Sequence, residues 1–167
     1  LAQMASWLAA GTRLAVSVNV GARQLQHSGF VEDLRASLVR HPQVNPADLQ
    51  LEVQESSALE DLARVTEVMA QCRAIGVHFA LDDFGTGYSS LTYLKRLPVS
   101  QFKIDRSFVR DMLDDPDDLS ILAGVLNVSV SFHRAVIAEG VESAAHGRLL
   151  LRLGCDLAQG FGIARPM

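Results

Sequence analysis

The sequence is short of cysteine, of positive charge and of long apolar runs, and each shortage excludes a class of protein. Its 2 cysteines, Cys72 and Cys155, have no CxxC spacing, and no secretory leader pattern precedes them. Cys72 falls on an apolar helical stripe and Cys155 follows Gly154 at the end of another. Both read as reduced packing residues, which suits a cytoplasmic protein. With 15 Lys and Arg against 19 Asp and Glu, the formal charge of −4 argues against a DNA or RNA polymer or an anionic membrane surface as partner. A negative chain can still hold a phosphodiester where metal ions supply local positive charge. No apolar run approaches the roughly 20 residues needed to span a bilayer, although a parent protein can be membrane-tethered elsewhere. No GK[ST] follows Gly85-Thr86-Gly87, and no GxGxxG is complete, which weakens P-loop and Rossmann readings. The 5 histidines (His27, His41, His78, His133 and His146) show no metal-ligand spacing.

What is present is the balance of an ordinary globular domain, 49% hydrophobic and 20% charged over 167 residues, enough for one core. Six short apolar runs recur: Arg13–Val20, Leu49–Val53, Val77–Leu81, Gln101–Ile104, Arg134–Ala138 and Asp156–Phe161. Their β-branched and aliphatic content suits strands buried on both faces of a parallel sheet, the last run being weakest on propensity. Helical patterns separate them. Val65, Val68, Met69 and Cys72 form an i, i+3, i+4, i+7 stripe that Gly76 stops. Asp115 before Pro116 predicts an N-cap with proline at N1, and Ser143 a cap for the helix carrying Leu149, Leu150 and Leu153. Phe30, Val31, Leu34 and Leu38 mark a helix after the first strand. Repeated βα units fit either a doubly wound sheet or part of a barrel, and strand count does not decide between them.

The strand ends carry polar groups. Asn19 ends the first run, Glu52 lies at the end of the second with Glu55 beyond, and Asp82-Asp83 end the third. Lys103 and Asp105 come at the fourth, Glu139 and Glu142 at the fifth, and Gln159 at the sixth. The intervals are each long enough for one βα unit, so parallel strands put all these groups at the carboxyl end of the sheet, where a (β/α) barrel builds its active site. Taken singly, each has an ordinary role as a cap or turn former. Taken together, the hard oxygen donors suit Mg²⁺ or Mn²⁺ and not zinc. Adjacent Asp82 and Asp83 can serve two ions, one of them bridging, and Lys103 reads as an electrostatic clamp or a partner of the attacking water.

One stretch is more specific. Asp82-Asp83-Phe84-Gly85-Thr86-Gly87-Tyr88-Ser89-Ser90-Leu91 resembles the EAL-domain phosphodiesterases almost letter for letter. The match continues through Tyr93-Leu94-Lys95-Arg96-Leu97-Pro98-Val99 and Lys103-Ile104-Asp105-Arg106-Ser107-Phe108. Upstream it includes Asn19-Val20-Gly21-Ala22-Arg23-Gln24-Leu25 and Glu52-Val53-Gln54-Glu55-Ser56. Downstream it takes in Ala138-Glu139-Gly140-Val141-Glu142, Gln159-Gly160-Phe161 and Arg165-Pro166.

The resemblance implies a modified TIM (β/α)₈ barrel that hydrolyses cyclic di-GMP to linear pGpG with Mg²⁺ or Mn²⁺, two ions in the complete domain. By motif position Asn19, Glu52, Asp82, Asp83 and Glu139 are expected metal ligands, with Asp82 the bridge. Asp83, Lys103 and Glu139 are the expected catalytic residues, Lys103 contacting the nucleophilic water. Gln159, Glu55, Glu142 and Asp105 are expected in substrate or loop support, Glu55 bracing the loop from Asp83 to Ser90. A homodimer through the loop and helix after Asp83, and fusion to sensor or GGDEF-type domains, complete the expectation.

The chain also departs from the family. No Glu-Ala-Leu tripeptide occurs, so the first metal glutamate is absent. A full barrel needs roughly 200–250 residues, so residues 1–167 are expected to form one partial domain of about six βα units, truncated at the N-terminus by about two strands. Gly21 stands for the usual Ser, Gln54 for Thr, and His133-Arg134 for Gly-Leu. The last exchange puts His133 in a C-terminal cap geometry that glycine takes easily. Because a ligand is missing, a non-catalytic cyclic di-GMP receptor and a dimerisation module stay open beside the hydrolase. An enolase-type lyase needs a further lysine or histidine base on a neighbouring strand end, and none is there.

Overall fold

Strand β2 (Leu49–Gln54) shows why this sequence makes a parallel sheet. Leu49, Leu51 and Val53 on one face and Glu52 on the other are all buried, as expected of a parallel strand covered on both faces. The structure, a computed structural model, describes residues 1–86 and 91–165. Along it run α1 (Ala2–Ala9), β1 (Val16–Asn19), α2 (Ala22–Gln26), α3 (Phe30–Arg40), β2, α4 (Glu55–Glu60), α5 (Leu62–Ala74) and β3 (His78–Phe84). Then follow α6 (Leu91–Arg96), β4 (Gln101–Ile104), α7 (Arg106–Asp111), α8 (Pro116–Ser131), β5 (Ala135–Ala138), α9 (Ala144–Arg152) and β6 (Leu157–Ala158). The strand order is β1-β2-β3-β4-β5-β6. A doubly wound sheet reverses its order at a switch point, and a sheet in plain chain order does not. The choice left open by strand count therefore falls to the barrel type.

The chain divides into two compact units, residues 1–80 with 91–99, and residues 81–86 with 100–165. In the first, β1 pairs with β2 in parallel, Val16 opposite Leu49 through Asn19 opposite Glu52. The stripe Val65, Val68, Met69 and Cys72 is buried to within 2% of completeness, each side chain contributing roughly 1.5–3 kcal/mol. Asp61 caps α5 through Arg64 N–H, and Gly76 turns the chain at φ +92°. At the surface Arg13 and Asp48 form a two-pronged ion pair at 2.7 and 2.9 Å.

In the second unit β4 pairs with β5, and β5 with β6, both in parallel. Its core joins Ile104, Val109, Leu122, Ala138 and Leu150. Asp115 accepts from Asp117 N–H at the start of α8, and Ser143 from His146 N–H at the start of α9, as the sequence predicts. Cys72 and Cys155 are free and buried.

The differences from the expected strands lie at their ends. β1 starts at Val16 and not Arg13, because Arg13 is held outside by Asp48. β3 runs on through both aspartates to Phe84. β6 is only Leu157–Ala158, the run with the weakest propensity. Gly87–Ser90 of the central motif, and Pro166, lie outside the described residues. Among the described residues no helix is long and apolar enough to cross a membrane.

Candidate active site

Three strand ends of the second unit bring charge together. β3 delivers Asp82 and Asp83, and Asp83 has a left-handed backbone at φ +54°, unusual for a residue with a Cβ. Backbone strain of this kind concentrates at functional sites. Thr86 holds the bend, its hydroxyl donating to the Asp83 carbonyl at 2.9 Å. Phe84 then stacks on Phe102 of β4, ring centroids 4.7 Å apart, which fixes the two strands side by side beneath the aspartates.

β4 delivers Lys103, which is only 5% exposed. A buried ammonium needs partners, and it has two: Nζ lies 2.9 Å from Asp82 Oδ1 and 2.8 Å from Glu139 Oε1. Glu139 is placed by the β4–β5 ladder, which ends with Glu139 N–H donating to the Ile104 carbonyl. Carboxylate oxygens of Asp82, Asp83 and Glu139 all lie within 4.8 Å of one another. Like charges so close repel by roughly 3 kcal/mol per pair at an effective dielectric of about 20. One ammonium against three carboxylates leaves the cluster short of positive charge. Asp82 Oδ1 is buried, and its contact is the Lys103 ammonium at 2.9 Å. An all-carboxylate donor set short of positive charge fits a hard divalent cation such as Mg²⁺ or Mn²⁺.

The other expected residues fall into place unevenly. In the first unit Asn19 faces Glu52 across the β1–β2 register, and Val20 N–H donates to the Glu52 carbonyl at 2.8 Å. Glu52 and Glu55 are buried, the latter opening α4. In the second unit Gln159 is exposed, with its backbone bonded to Ala138 and Val141. Glu142 is exposed in the loop before α9. Asp105 is engaged as a cap, accepting from Ser107 N–H at 2.9 Å and from the Ser107 hydroxyl.

Beside Glu139 opens a cleft of about 490 Å³, within the range of small-ligand sites. Arg106, Glu142, Gln159, Phe161 and Arg165 also line it. The sequence singled out Glu142 and Gln159 but not Arg106, Phe161 or Arg165 as site residues. Their motif neighbours gave the only signal, since an arginine or phenylalanine after a strand is ordinary.

The model of the EAL domain matches residues 1–166, and the chain belongs to that family. It is 43% identical over 166 residues to the bifunctional diguanylate cyclase/cyclic di-GMP phosphodiesterase MucR of Pseudomonas aeruginosa, covering 99% of this chain and 24% of that protein. The chain thus spans about a quarter of the length of this curated relative. The solved structure of the MucR phosphodiesterase in complex with c-di-GMP matches with a TM-score of 0.92, covering 99% of this chain and 67% of that one. The EAL domain of Mycobacterium smegmatis DcpA matches at 37% identity with a TM-score of 0.92, covering 99% and 75% of the two chains. A manganese and cyclic di-GMP complex of BlrP1 from Klebsiella pneumoniae matches at 30% identity and a TM-score of 0.84, covering 95% and 40%. These likenesses bear out the barrel-type fold and the family drawn from the motifs.

Proposed function

We propose that this chain hydrolyses cyclic di-GMP to linear pGpG, with two bound Mg²⁺ or Mn²⁺ ions. The observation that carries the proposal is the Asp82, Asp83 and Glu139 cluster bridged by Lys103. The relatives support it: MucR is named a cyclic di-GMP phosphodiesterase, and the BlrP1 structure holds manganese with cyclic di-GMP. Asp82, Asp83 and Glu139 would hold metal, with Asp82 proposed as the bridge on its motif position. Asn19 and Glu52 are proposed as further ligands on their motif positions. Bound metal would supply positive charge to the phosphate oxygens and acidify a water.

The chain's own residues set the rest. Lys103 Nζ, held between Asp82 and Glu139, is placed to meet the attacking water or a phosphoryl oxygen. Its ion pairs keep the ammonium in place. Gln159, fixed at its backbone, offers an amide to the substrate side. The name of MucR also supports fusion to a cyclase-type domain, and a homodimer through the loop and helix after Asp83 is part of the same proposal.

The test is chromatographic detection of pGpG from cyclic di-GMP and Mn²⁺, using the natural protein that carries this chain and its Glu139→Ala variant. Product from the first and none from the second supports the hydrolase. Tight binding without product assigns a receptor, and neither binding nor product assigns an interaction module.

A further inference from the structure

We propose that the first turn of α7 sets the spacing of the site's carboxylates, with Phe108 as a positioning residue for Asp83; this rests on the metal-dependent reading above. The turns after β3 and β5 each contain a left-handed glycine, Gly85 at φ +102° and Gly140 at φ +75°. Gly85 follows Asp83 by two residues, and Gly140 follows Glu139 directly. Strand β4 runs between β3 and β5, so the helix that leaves it meets both bends. A Cβ on Gly85 would lie 2.9 Å from Phe108 Cε2, and one on Gly140 would lie 2.6 Å from Arg106 Cβ. Only a residue without a side chain lets the backbone come so close. The first turn of α7 is thus wedged between the bends that carry Asp83 and Glu139.

The wedge is held at both ends. At its start Asp105 accepts from Ser107 N–H at 2.9 Å, two residues after Lys103. At its far end the Arg110 carbonyl meets His146 Nε2 at 3.1 Å, and Nδ1 of the same ring meets the Ser143 hydroxyl at 2.7 Å. A carbonyl only accepts, so Nε2 carries the proton, and the buried ring ties α7 to the cap of α9. Phe108 itself packs on the core around Ile104, Val109 and Leu122, which backs the ring against Gly85. Thr86 holds the Asp83 bend from within. Phe84 on Phe102 ties that bend to β4, and Gly85 on Phe108 ties it to α7. Leucine at 108 would keep an apolar contact with the core but remove the ring edge under Gly85, opening a void into which the bend can settle. Binding groups tolerate misplacement of only about 0.5 Å.

The experiment titrates Mn²⁺ into the metal-free natural protein by calorimetry and follows cyclic di-GMP hydrolysis, for the parent, Phe108→Leu and Val109→Ala. Val109 is fully buried on the same helix, so its truncation loosens α7 while the Gly85 contact, which is Phe108's, stays. Phe108→Leu is expected to bind Mn²⁺ about tenfold more weakly and to lose about tenfold in kcat, with KM changed far less. Val109→Ala is expected to lower Tm at least as much and to keep the parent's Mn²⁺ affinity. Gly85→Ala should weaken Mn²⁺ binding less in the Phe108→Leu background than in the parent, because the ring edge it strikes is gone. Equal Mn²⁺ affinity in the parent and Phe108→Leu, or equal losses in Phe108→Leu and Val109→Ala, overturns the positioning role and leaves the hydrolase intact. Absence of both Mn²⁺ binding and pGpG from the parent overturns both.

Discussion

His133 carries a strain that a single substitution should release. Helix α8 ends at Ser131, and the chain leaves it through a Schellman turn: His133 N–H donates to Val130 and Arg134 N–H to Ser129, at 3.0 and 2.9 Å. That turn requires a left-handed residue after the cap, and His133 supplies it at φ +54°. A Cβ in this conformation costs roughly 1–2 kcal/mol, with histidine toward the lower end because it tolerates the region better than most. Glycine removes the strain but adds unfolded-chain freedom worth about 0.5–1 kcal/mol. His133 is exposed, so its side chain takes little packing with it. His133→Gly is thus expected to stabilise by up to about 0.5 kcal/mol, or about 1–2 °C in Tm for a chain of this size. His133→Ala keeps the Cβ and is expected to melt with the parent. Thermal melts followed by circular dichroism compare the three. If glycine brings no rise, or alanine rises equally, the gain does not come from the left-handed backbone and the reasoning fails.

Lys103→Met is expected to lower kcat by at least about 10²-fold and to lower the metal-free Tm, with Mn²⁺ recovering more Tm than in the parent; equal recovery in both proteins would uncouple the lysine from the cluster. Gly160→Ala forces a methyl to 2.2 Å from a backbone oxygen, so a urea melt should show a loss of about 2 kcal/mol or more; a neutral result would mean the loop is not held as described. Burial pushes the Cys72 thiol up to about 11, whereas an unfolded thiol titrates near 8.5. The neutral thiol therefore contributes stability in full below about 8.5, and that contribution fades as pH rises toward 11. Cys72→Ala should lose less stability than the parent between pH 9 and 11, and parallel curves would count against the shift.

The strands buried on both faces were legible because short apolar runs such as Val77–Leu81 have no other good environment, and the helix caps because Asp115-Pro116 and Ser143 act locally. The carboxylates at strand ends were legible as a set for the same reason: parallel strands must share a C-terminal edge. What sequence could not assign was pairing. That Lys103 bridges Asp82 and Glu139, with Asp105 turned aside to cap α7, depends on which side chains the β4–β5 register brings level. Nor could it show that Gly160 and Gly162 press on the backbone of the loop before α9, because that contact joins segments about twenty residues apart. Arg106, Phe161 and Arg165 were missed as site residues for the same reason, their meaning coming from the cleft they share and not from their neighbours in sequence.

The buried lysine makes the metal proposal stricter than the acid count alone. Lys103 already neutralises part of Asp82 and Glu139, so the pair could persist without any cation. Asp83 is different: it joins the cluster at the cost of a left-handed backbone, and its carboxylate lies within 4.8 Å of the other two. A fold selected for stability alone would relax that bend or replace the residue. A divalent ion bound there would relieve the repulsion and so offset the cost of the strain. Metal binding should therefore stabilise the parent more than an Asp83→Asn variant, which keeps the shape and removes the charge. Equal Mn²⁺-induced shifts in Tm for the two proteins would show that Asp83 holds no metal.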